Sequence, residues 1–173
     1  KTVRLPETQD GEPICQSWRQ MVNIGYAHDG LIGSVQEQLR RAQKEIGFTY
    51  LRFHGIFDDD MHIYQENEDG SPWFNFAYAD LLFDFIQEIG LIPYVELGYM
   101  PSKLAKTQYT VFDNPAICIS MYNDSEKWQA LVQACLSHWI DKYGLANVRV
   151  FDELQQTAVY RAGHVTRGLL QDV

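Results

Sequence analysis

Two predicted strands carry the residues best suited to chemistry in this chain. Side chains alternate across a strand, so in residues 49–57 Tyr50, Arg52 and His54 share one face while Leu51 and Phe53 share the other. In residues 92–97, Tyr94 and Glu96 oppose Val95 and Leu97. His54 and Glu96 then lie near the C-terminal ends of their strands, with Arg52 and Tyr94 one layer below. An imidazole, a carboxylate and a guanidinium together offer donors and acceptors to a polar ligand. Asp58, Asp59 and Asp60 begin the loop beyond His54, and Trp73, Phe74 and Tyr99 fall in strand-end loops. Rings there can pack on the C–H faces of a sugar while nearby polar groups take its hydroxyls. Plainer readings stand beside these. His54 can be a core histidine bonded to a backbone carbonyl, Arg52 and Glu96 a buried ion pair, the aspartates a solvated loop or turn caps, and the rings simple packing.

Other chemistries have little footing. The sequence contains no G-x-S-x-G, no phosphate loop and no G-x-G-x-x-G, so a serine-nucleophile or nucleotide enzyme is not indicated. The three aspartates are adjacent, whereas a calcium loop spaces its ligands two apart. Cys15, Cys118 and Cys135 show no C-x-x-C spacing, which argues against structural zinc and, with an odd count, against complete internal pairing. Neither metal nor cofactor is expected.

The elements that must position these residues alternate. Residues 22–26 form a short apolar run, followed by a loop with His28, Asp29 and Gly30. Ser34-Val-Gln-Glu37 reads as a capping box that opens a helix bearing Val35, Leu39, Ala42 and Ile46, and Gly47 ends it. A long loop, 58–72, separates the second strand from a helix over 76–89 with a stripe of Tyr78, Leu81, Leu82, Phe85, Ile86 and Ile89. The third strand leads into another loop, 98–124. The third helix is the clearest element, because Trp128, Leu131, Val132, Cys135, Leu136, Trp139, Ile140 and Tyr143 follow i, i+3, i+4, i+7 spacing. Asn123 supplies a cap-like start, and residues 148–151 form a fourth strand. This β-α-β-α-β-α-β order predicts a parallel sheet. Long loops after strands and short ones after helices match a (β/α)8 barrel, whose ligand site lies at the strand C-terminal ends. A full barrel takes roughly 250 residues, so the expected architecture is α/β, a partial TIM barrel of about the first four β/α units. Residues 1–17 read as a leader or linker, 18–151 as the half barrel, and 152–173 as an unassigned tail.

Composition bounds the rest. The 173 residues carry a formal charge of −9, with 46% apolar, 21% charged and 13% aromatic side chains. Disorder, collagen and a disulfide miniprotein are excluded on these figures. No stretch approaches the roughly 18–20 apolar residues that span a bilayer, so no membrane partner is expected. The acidic balance argues against bulk-charge binding of DNA. Cysteine usage and the lack of a signal-peptide pattern point to the cytoplasm, and the initial Lys1 suggests a piece of a longer protein.

The run Arg52-Phe-His-Gly-Ile-Phe-Asp-Asp-Asp-Met61 resembles glycoside hydrolase family 39, the β-xylosidases and α-iduronidases. Pieces on either side do so too: Asn23-Ile-Gly25 with Asp29-Gly-Leu31, Gln36-Glu-Gln-Leu39, Glu45-Ile-Gly-Phe48, Asn75-Phe76 with Tyr78, Leu82-Phe-Asp-Phe85, Pro93-Tyr-Val-Glu-Leu97, Met100-Pro101, Leu104-Ala105, Glu126-Lys-Trp128 and Tyr143-Gly-Leu145. The resemblance runs from about Trp18 to Arg149 and implies a barrel in which His54 contacts sugar. Retaining glycosidases use two carboxyl groups about 5–5.5 Å apart, which in this family come from the ends of strands four and seven. The strand-four residue lies in Asn-Glu-Pro, and this sequence has no such motif. Ungapped counting from Arg149 puts Thr157, Ala158 and Val159 there, while Glu153 lies nearby in an unmatched context.

Other pieces resemble the family-39-like barrels of some AraC-type transcription regulators, namely Trp18-Arg19, Val111-Phe-Asp113, Ile119-Ser120-Met-Tyr-Asn-Asp124 and His138-Trp-Ile140. That resemblance implies a sugar-binding, catalytically silent sensor, in which His54, Glu96, Arg52, Asp58, Trp73 and Tyr99 surround a xylose-like ligand. DNA would be contacted only through another region of the parent chain. The alternatives are a fragment of a genuine family 39 retaining β-xylosidase, and a structural module in which two open sheets close on each other as a homodimer.

Overall fold

The computed structural model describes residues 14–108, 117–147 and 149–151. Its main sheet has four parallel strands in the order β1 (Met21–Tyr26), β2 (Tyr50–His54), β5 (Ile92–Glu96) and β6 (Arg149–Phe151). Helices α1 (Gly33–Ile46), α2 (Ala77–Glu88) and α3 (Ser125–Tyr143) fall between successive strands of that sheet. The parallel α/β arrangement expected from the alternation is therefore present. The leader read at 1–17 lies mostly outside the described residues, and the tail at 152–173 lies wholly outside them.

Alternation in β2 and β5 separates two faces cleanly. Leu51, Phe53 and Val95 are fully buried, while Tyr50, Arg52, His54, Ile92, Tyr94 and Glu96 are half-buried. The buried face meets the helical layer in a core that includes Leu82, Phe83 and Ile86 of α2 and Leu131, Val132, Cys135 and Trp139 of α3. Phe83 stacks on Trp139 at 5.1 Å. Cys135 is a core residue as expected, and burial pushes its thiol pKa far up.

Several local expectations need correction. Ser34 is not a cap, because α1 begins at Gly33 with Ile32 in the cap position and no side-chain cap bond. The preceding turn His28–Leu31 delivers the chain into the helix early, and Gln36 Nε2 donates back to Gly30 O at 2.8 Å. The cap of α3 is Asp124, not Asn123, and it accepts from Glu126 N and Lys127 N. The loop read at 58–72 contains a strand and leads into another: β3 (Tyr64–Glu66) pairs antiparallel with β4 (Pro72–Phe74). Lys127 of α3 bonds Glu66 of this hairpin at 2.8 Å and holds its carboxyl below the usual range. On α2, Tyr78 and Leu81 are 41% and 59% exposed, and the buried set is Ala79, Leu82, Phe83, Phe85 and Ile86. Asp84, Gln87 and Glu88 are exposed on the same helix, and Tyr78 and Leu81 are the large apolar residues that fall outside its buried stripe.

Candidate functional site

The half-buried face of the sheet gathers polar groups at the strand C-terminal ends. Arg52 pairs in register with Tyr94, and Phe53 with Val95, which brings residues 52 and 96 into side-chain reach. The Arg52 guanidinium bonds Glu96 Oε1, and the two side chains remain 29% and 21% exposed. The ion pair therefore exists, but on an accessible face and not inside the core.

His54 stands beside this pair. Its ring meets Tyr26 edge-on at 4.5 Å between centroids and Tyr99 at 5.7 Å. Burial lowers the His54 pKa; nearby Arg52 adds to this, while Glu96 and Asp29 oppose it. That direction favours the neutral imidazole, in which one nitrogen donates and the other accepts.

Tyr26 is the member that sequence reasoning missed. It faces His54 because β1 carries a bulge: Asn23 pairs with Arg52, but Tyr26 pairs with His54, so three residues on β1 match two on β2. Gly25 takes φ +89° in the bulge, a conformation that suits glycine. Tyr26 N then donates to Asp29 Oδ2 at 3.1 Å, and Ala27 N to His54 O at 2.8 Å. A glycine inside a strand was the available signal for a bulge.

The aspartate run ties two loops together. Asp58 is only 2% exposed. Its Oδ1 accepts from Tyr99 N at 3.0 Å, and Asp59 Oδ1 accepts from Ser102 N at 2.9 Å. Phe57 N donates to Gly98 O at 3.1 Å. Asp58 is thus a buried acceptor for the backbone, and with half-buried Asp59 it clasps the loop after β5. Burial raises the Asp58 carboxyl to about 7; the Tyr99 N–H pulls it down, and Asp60 and Asp59 push it up. Among the described residues no group of three or more His, Cys, Asp or Glu is arranged to hold a metal ion. Trp73 lies on β4, 45% exposed, and no ring contact or hydrogen bond joins it to the His54 group. The geometry therefore brings together His54, Arg52, Glu96 and Tyr99, adds Tyr26, and leaves Trp73 apart.

These groups place an imidazole, an ion pair and two phenol rings together on the half-buried face of the sheet. A family model for glycosyl hydrolases of family 39 matches residues 1–153. The chain belongs to glycosyl hydrolase family 39. Over 154 residues this family 39 chain is 34% identical to a β-xylosidase of Geobacillus stearothermophilus, an overlap of 87% of this chain and 30% of that protein. It is 36% identical over 136 residues to a β-xylosidase of Caldicellulosiruptor saccharolyticus, covering 79% of this chain and 28% of that one. Among solved structures, a family 39 enzyme from Xanthomonas axonopodis pv. citri aligns with TM-score 0.71 at 26% identity, over 83% of this chain and 29% of that one. A monomeric β-xylosidase from Caulobacter crescentus CB15 aligns with TM-score 0.81 at 22% identity, over 94% and 35%, a likeness of fold. The family 39 chain thus spans about a third or less of the length of these relatives. The likeness is to β-xylosidases, and the association with AraC-type regulators finds no support in it. No helix among the described residues is long and apolar enough to cross a membrane.

Proposed function

We propose that this chain forms the His54-bearing wall of a β-xyloside site in a family 39 glycosidase, with its four parallel strands as part of a (β/α)8 barrel. The observation that carries this reading is the His54 imidazole, set edge-on against Tyr26 and Tyr99 and beside the Arg52–Glu96 pair. Tyr rings would cover C–H faces of the sugar, while His54 and Glu96 would take its hydroxyls. The family's acid/base and nucleophile would come from strands four and seven. No Asn-Glu-Pro occurs in these 173 residues, so the wall described here would bind and orient, and proton transfer to the glycosidic oxygen would fall to carboxyls elsewhere in the protein.

The test is a titration of the chain with methyl β-xyloside, followed by NMR or calorimetry. Binding is expected, and His54→Ala should weaken it by about 1–3 kcal/mol through loss of a half-buried hydrogen bond. An unchanged titration for His54→Ala would remove His54 from the site. The parent coding sequence separates enzyme from sensor. A parent with Asn-Glu-Pro and a strand-seven Glu should release nitrophenol from a nitrophenyl β-xyloside. A parent that carries a helix-turn-helix, binds xylose and shows no turnover would restore the regulator reading.

A further inference from the structure

Asp58 presents an unusual economy for a buried carboxylate. It is 2% exposed, so no ligand reaches it. Its own turn fixes it: Asp58 N donates to Gly55 O at 3.2 Å, and Met61 N donates to Asp58 O at 3.0 Å. A Cβ on Gly55, which sits at φ +73°, would collide with Asp58 Oδ2, so the carboxyl is wedged from below by bare backbone. From that seat Oδ1 reaches across to the loop after β5 and takes Tyr99 N. The neighbouring bond from Phe57 N to Gly98 O closes the same junction. The ring that this junction carries is the one that meets His54 at 5.7 Å.

We propose that Asp58 is a positioning residue of the saccharide face: it fixes the Tyr99 backbone, and through it the ring that borders His54. The claim rests on the saccharide reading of that face, but the placement of the ring can be read without sugar. The titratable groups around Asp58 are Asp59 and Asp60 on its own loop, Tyr26 from β1 and Tyr99 from the loop after β5.

The test uses the full chain and the ring C–H resonances of its histidines, with His54 assigned by the signal lost in His54→Gln. Ring currents from Tyr26 and Tyr99 displace that signal from its free value. Asp58→Asn keeps an oxygen for Tyr99 N and should leave the His54 signal and methyl β-xyloside affinity close to the parent. Asp58→Ala, shown to be folded by circular dichroism, should shift the His54 signal toward its free value. It should also weaken methyl β-xyloside binding about 3–10-fold, as expected when one aromatic contact is misplaced. A folded Asp58→Ala chain with the parent's His54 signal would overturn the proposal, whether or not sugar binds. A parent that binds no xyloside while Asp58→Ala still moves His54 would sink the saccharide reading and keep the positioning role. If Asp58→Ala does not fold, the parent's Tyr99 amide proton carries the test. It should be protected from hydrogen exchange in the parent and in Asp58→Asn, and an unprotected Tyr99 amide in the parent would overturn the proposal.

Discussion

Burial lowers the His54 pKa, and Arg52 and Glu96 hold each other beside it. The Arg52–Glu96 pair keeps about a quarter of its side-chain surface in water, so its strength lies between that of a surface pair and a buried one. A double-mutant cycle with Arg52→Met and Glu96→Gln should report a coupling of about 1 kcal/mol in urea unfolding, with no more than a small change in m-value. Asp58 gives a pH signature of opposite sense to most carboxylates. Its folded pKa near 7 lies above the unfolded value near 3.8, so the fold retains a proton that the unfolded chain releases. Stability from this group is full below about pH 4 and is lost as pH rises through 7. Asp58→Asn does not titrate. It should therefore stabilise the chain by about 1–3 kcal/mol more at pH 8 than at pH 5, measured by urea melts at both.

At the scale of elements, α3 was the most legible, because its apolar stripe keeps helical spacing from Trp128 to Tyr143 and nearly all of it is buried. Its start was misread by one residue, since Asn123 and Asp124 are both competent caps; Asp124 accepts from the first-turn N–H groups, while Asn123 Nδ2 donates to Lys103 O. Asp124→Ala should cost about 1 kcal/mol in thermal or urea melts, while Asn123→Ala should cost less. The inner face of α2 was ambiguous because both helical registers offered large apolar residues. The β3–β4 hairpin escaped notice because strands of three residues, Tyr64–Glu66 and Pro72–Phe74, are too short to show alternation. At the site, His54, Arg52 and Glu96 were legible from parity alone, since β2 and β5 run without interruption. Tyr26 was not, because a bulge reverses parity partway along β1. Asp58 was legible as a site residue but not in its role, which depends on which neighbouring N–H its oxygen finds.

For the whole molecule, the core is centred on the packing of α3 and α2 beneath the sheet. Trp139 is fully buried and stacked on Phe83, and Trp139→Ala should cost about 3–5 kcal/mol in urea melts, a large share of a domain's typical stability. Among the described residues β1 and β6 each pair on one side only, and exposed sheet edges recruit partners. Sedimentation velocity over a concentration series should show self-association of the isolated chain; a single monomeric species throughout would show that its edges are already protected. The hairpin between β2 and α2 also has a consequence for chain continuity. Its tip, residues 67–71, stands in solvent, while β2 and β5 on either side are joined by ladder bonds and the Asp58 and Asp59 clasps. A protease that severs the peptide near Gly70 should therefore leave two pieces that travel together through gel filtration, and the same pieces made separately should find each other by fragment complementation.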